Sequence, residues 1–148
     1  MPLGRAYFKQ VGGSRQDEIS TGLLWDLFKH ARSWLVNLNR AGERRKRESK
    51  EALRGIILAS RQTAVYLRQL EDSGRWDHEA ERRLSTRWTE LGFELEDLGI
   101  GKLAKRCQIA GKHWSDPDHY DRDFLEKADI SLDRMERLAT EILHQINR

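Results

Sequence analysis

The sequence predicts an all-α protein, an up-and-down bundle of four long helices plus one short helix, and three observations carry that prediction. Apolar residues recur at alternating three- and four-residue steps through most of the chain. No segment alternates with period two for long enough to form a strand. Only two prolines occur, Pro2 and Pro117, with none between them. The first two observations select helix over strand. The third leaves long stretches free of a residue that removes a helical hydrogen bond and clashes with the preceding turn. At 148 residues the chain has the size of one domain, long enough to bury roughly 70% of the surface its unfolded form exposes.

Residues 1–15 hold Gly4, Gly12 and Gly13 among polar residues without a period, and they read as a flexible N-terminal arm. Residues 16–148 read as a single helical-bundle domain. Its first helix is expected from about Ser20 to Asn39, because Leu24, Phe28, Ala31, Leu35 and Leu38 form one apolar stripe. Gly42 stops it. A second helix over residues 43–72 repeats the pattern with Leu53, Ile56, Ser60, Thr63, Leu67 and Leu70, flanked by Ile57, Ala64 and Tyr66.

Asp72, Ser73 and Gly74 close the second helix, and Asp77 is placed to cap a third whose stripe is Ala80, Leu84, Trp88, Leu91, Leu95 and Leu98. The short turn makes these two helices antiparallel. Gly99 and Gly101 break the third helix, and a shorter fourth follows from Lys102 to about His113, with Leu103, Cys107, Ala110 and Trp114 on one side. Ser115, Asp116, Pro117 and Asp118 read as the start of the last helix, since proline and carboxylates suit a first turn. Leu125, Ala128, Leu132, Met135, Ala139, Ile142 and Ile146 carry its heptad nearly to the end of the chain.

The single cysteine cannot close an internal disulfide, and the N-terminus lacks the basic start and apolar run of a secretory leader. No stretch approaches the ~18 apolar residues of a spanning helix. These absences lead to the expectation of a cytoplasmic protein with no membrane association. The net charge of +3 is modest, but its distribution is uneven. Lys29 to Arg54 holds nine Lys or Arg against three Glu, whereas Ser115 to Arg148 holds nine Asp or Glu against five Lys or Arg. Arginine outnumbers lysine nineteen to eight, and its planar fork suits carboxylates and phosphates alike.

Several groups of residues could carry chemistry. His113, Asp116, Asp118, His119, Asp121 and Asp123 could supply metal ligands, yet acidic residues at a helix start are explained by the unpaired N–H groups and the dipole there; no metal is expected. Arg44, Arg45, Lys46, Arg47, Lys50 and Arg54 form a basic strip at the start of the second helix, suited to neutralising phosphates. Glu43, Glu48 and Glu51 are interleaved with it and satisfy part of the charge within the helix. Residues 95–112 outline a helix, a glycine turn and a short basic helix, which is better read as a bundle corner than as a helix-turn-helix. Trp25, Trp34 and Trp76 lie at stripe edges or in a turn, where tryptophan near arginine is the usual anchor of a protein interface.

Arg106 and His113, with six residues between them, resemble in spacing the Arg-to-His motif of the HEPN ribonucleases, themselves small helical bundles. The resemblance implies a metal-independent ribonuclease whose imidazole and guanidinium converge across a dimer, one handling the 2′-hydroxyl proton and the other the phosphate charge. It covers two residues, and Cys107 stands where that family prefers a polar side chain.

No phosphate-binding glycine loop, serine elbow or paired carboxylates on one helix face occur. The sequence therefore favours a non-enzymatic helical interaction module, a small accessory subunit or adaptor that docks on a larger protein or on its own copies through Trp25, Trp34 and Trp76. Neither a cofactor nor a small-molecule ligand is inferred. A nucleic-acid-binding bundle using the basic strip is the second reading, and the HEPN-like ribonuclease is the third.

Overall fold

The computed structural model describes residues 31–118 and 131–147. The expected arm, the first half of the expected first helix with Trp25, and residues 119–130 of the expected last helix lie outside them. Ser115, expected to open that last helix, is instead the final residue of the helix before it, and Asp116, Pro117 and Asp118 form a turn because the chain has just left that helix. The described residues are all-α, with no strand among them. Residues 31–40 are helical and are called α1. They are followed by α2 (Glu43–Ser73), α3 (His78–Asp97), α4 (Gly101–Ser115) and α5 (Leu132–Ile146).

The helix ends follow local chemistry. Gly74 ends α2 in the left-handed conformation, φ 67°, where its N–H donates to Leu70 O at 2.8 Å; a glycine takes up this geometry without a Cβ penalty. Asp77 caps α3 as expected, its Oδ1 accepting from Ala80 N at 3.0 Å. One boundary departs from the expectation of a continuous last helix. Ser131 has extended backbone angles and its carbonyl accepts from Met135 N at 3.0 Å, so α5 begins at Leu132. The heptad masks a start signal of serine followed by an acidic residue, Asp133, in the first turn.

The predicted stripes build one core. Leu53, Ile56, Leu91, Leu95, Leu103, Cys107, Ala139 and Ile142 have at most 1% of their surface exposed, and Trp88 and Trp114 are buried among them. Ala64, placed beside the core of the second helix, is exposed instead. One polar chain inside the core links α3 to α2. Trp88 Nε1 donates to Thr63 Oγ1 at 3.1 Å, and Thr63 Oγ1 donates to Ala59 O at 2.7 Å.

α2 and α3 run antiparallel, held at one end by Tyr66, whose hydroxyl donates to Glu81 Oε2 at 3.0 Å and accepts from Asp77 N at 3.1 Å. At the other end the N-terminus of α2 meets the C-terminus of α3, where Arg45 donates to Asp97 O at 3.2 Å. α3 and α4 touch backbone to backbone. A Cβ on Gly92 would lie 3.1 Å from Gln108 N and 3.2 Å from Ala104 O, and one on Gly111 would lie 2.9 Å from Thr89 N and 3.0 Å from Ser85 O. α5 packs along α2: Arg61 meets Glu136 midway, and Leu138 and Ile142 lie with Trp34 and Ile100 at the end where α2 begins.

Candidate functional site

An open groove of about 750 Å³ lies between α2 and α3. Its α2 wall is Leu58, Arg61, Gln62, Val65 and Gln69, its α3 wall is Arg82, Arg83, Thr86, Arg87 and Glu90, and Tyr66, Ala80 and Leu84 complete the lining. The helical period explains the groove. Leu53, Ile56, Ser60, Thr63 and Leu70 point α2 inward, so Leu58 and Val65, seven residues apart, point away from the core. They are 58% and 66% exposed, and Phe93 on α3, one turn beyond Glu90, is 58% exposed. Large apolar side chains this bare lose favourable burial on every face that water occupies.

Four arginines and one glutamate make the lining positive. Arg61 Nη2 lies 3.1 Å from Glu136, and Arg82 is paired with Glu79, whose carboxyl it holds below the usual carboxylate range. Arg87 approaches Glu90 at 4.0 Å. Arg83 is exposed, and its charge also helps to lower the Glu79 carboxyl. All the pairs are on the surface, where each contributes little and exchanges readily for a new partner.

The residues singled out in the sequence take several places. Trp34 is half-buried and donates from Nε1 to Leu98 O at 2.8 Å, tying α1 to the end of α3. Trp76 is half-buried in the turn between α2 and α3, and Trp25 is outside the described residues. The six basic positions of early α2 do not share one face. Arg47, Lys50 and Arg54 follow each other at helical steps, while Arg45 points to Asp97 across the bundle. Its position at the negative end of the α3 dipole supplies the reason for a cation near the start of α2. Arg44 and Lys46 pair with Glu48 at 3.0 Å and Glu43 at 3.7 Å.

Arg106 is half-buried and donates to Lys102 O at 3.2 Å. His113 has no exposed surface, with its ring edge-on to Trp114 at 5.1 Å. Seven residues on one helix separate the two positions by about 10.5 Å, and the buried imidazole cannot reach an RNA from this arrangement. Asp116 and Asp118 are exposed in the turn after α4, while His119, Asp121 and Asp123 lie outside the described residues. No group of three metal-ligating side chains occurs among the described residues. Burial pushes the Cys107 thiol far above its ordinary range, which keeps it protonated and unreactive. No described helix is long and apolar enough to cross a membrane.

No protein-family model matches the chain, and no curated protein or solved structure shows significant similarity to it.

The groove is hard to see in the sequence because the buried stripes and the tryptophans are the stronger patterns. The signal was present: Leu58 and Val65 fall between the inward positions of α2 and share their side of the helix with an arginine at every seventh residue.

Proposed function

We propose that the chain is a non-enzymatic interaction module, an accessory subunit or adaptor that holds a partner protein in the α2–α3 groove. The observation that carries this reading is the pair of bare apolar side chains, Leu58 and Val65, set among arginines in a concavity of about 750 Å³. Apolar anchors within a charged rim are the usual make-up of a protein-binding surface. A groove used mainly for phosphate would have little use for these two side chains, since neutralising a nucleic-acid backbone requires cations alone.

Size-exclusion chromatography of extract from the source cells, with the chain detected by antibody, tests this. The native chain should elute in a complex well above its own mass. Leu58→Asp combined with Val65→Asp should elute as the free chain. Identical elution of the two forms contradicts the reading.

A further inference from the structure

The exposed face of α2 carries a second, longer pattern. Arg47, Arg54, Arg61 and Arg68 stand at every seventh position and all four are exposed. Between them, four residues after each, come Glu51, Leu58, Val65 and Asp72, exposed as well. Successive arginines are therefore about 10.5 Å apart. The row drifts by only about 20° per heptad, which a left-handed supercoil absorbs. This is the three-and-four spacing of a helix seam, turned toward solvent and centred on two apolar residues.

Resting on the docking reading above, we infer that the occupant of this seam is an acidic amphipathic helix of a different protein. It would set apolar side chains on Leu58 and Val65 and carboxylates against the flanking arginines. The groove walls support the same sign of charge, since α3 contributes Arg83 and Arg87 from the opposite side. The distance from residue 58 to residue 69 is about 16 Å along α2, room for about three turns of a docked helix.

Charge also argues against a second copy of this chain. Two α2 helices in parallel would set arginine on arginine throughout. Antiparallel, the register that packs Leu58 on Val65 of the other copy sets Arg61 on Arg61 and Glu51 on Asp72. The registers that pair Arg47 with Asp72 place each apolar residue against an arginine. No self-pairing satisfies both the apolar centre and the charged flanks, whereas an acidic helix with an apolar stripe satisfies both at once. Like charges opposed in this way disfavour the wrong partner.

A displayed library of helical peptides tests the proposal. Leucine is fixed at the seam positions, and the flanking positions are randomised among Glu, Gln and Lys. Selection on the native chain should enrich Glu, and the selected peptide should bind about tenfold more tightly than its Gln counterpart, the sum expected from several surface ion pairs. Leu58→Asp with Val65→Asp should abolish capture, and Arg54→Glu with Arg68→Glu should reverse the preference to Lys. Enrichment of Gln or Lys on the native chain, or no enrichment, overturns the acidic-helix proposal. So does duplex RNA that binds this face more tightly than the selected peptide. Each of these results leaves the docking reading itself to the chromatographic test, where loss of the complex in the groove variant is independent of the partner's charge.

Discussion

The two faces of α3 are built on opposite rules. Toward α4 it presents Ser85, Thr89 and Gly92, and α4 answers with Ala104, Gln108 and Gly111, so the two backbones come within van der Waals reach of a single Cβ. Toward α2 its solvent-side residues are Arg83, Thr86, Arg87 and Glu90, which line an open groove above the core, with the Arg87 guanidinium lying over Gly55 of α2. Small residues remove the surface between helices; long charged residues preserve it. The first interface is a structural joint, and the second keeps surface available for something else.

Mutations at the joint should be costly. Gly111→Ala places a methyl group against Thr89 N and Ser85 O. Because the atoms met are backbone and cannot swing aside, overpacking here costs about 3 kcal/mol, the upper end of its usual range, and the better helix propensity of alanine offsets about 1 kcal/mol. A net loss of about 2 kcal/mol is expected in urea denaturation, and a gain in stability would show that α3 and α4 can separate without penalty.

The groove end marked by Tyr66 should respond less. Tyr66→Phe keeps the ring packed edge-on to Trp114 at 5.8 Å, but removes the hydroxyl that serves Glu81 and Asp77 N. Losing a buried hydrogen-bond partner costs about 1–3 kcal/mol, so a decrease near 1.5 kcal/mol is expected by the same measurement. An unchanged midpoint would mean that this network does not join the two helices.

Smallest of all should be the effect within the groove itself. Leu58→Asp and Val65→Asp replace exposed side chains that make up no part of the core, and surface substitutions of this type usually fall within about 0.5 kcal/mol. A large loss of stability would turn Leu58 and Val65 into structural residues and close the contrast between the two faces.

The same contrast explains what the sequence made legible. The apolar stripes, the Asp77 cap and the Gly74 stop were readable because each is a local pattern with a local cause. The joint between α3 and α4 was not, because Gly92 and Gly111 are invisible as core residues: they contribute no apolar side chain, only the room for another backbone. Trp34 has the size of an interface anchor, yet its N–H serves Leu98 O within the fold. Leu58 and Val65 are unremarkable residues until their neighbours show that the helix has turned them outward. The Arg106 and His113 spacing was legible as a pattern, but only the structure reveals that His113 is wholly enclosed.

The central claim is that the α2–α3 groove receives a partner, and site-specific photo-crosslinking in the source cells tests it most directly. A benzophenone amino acid at Val65 reports on the groove, and the same group at Glu141, exposed on α5, serves as the control. A discrete crosslinked product is expected from position 65 and none of that mass from position 141. No product at position 65, or the same product from both positions, would contradict it.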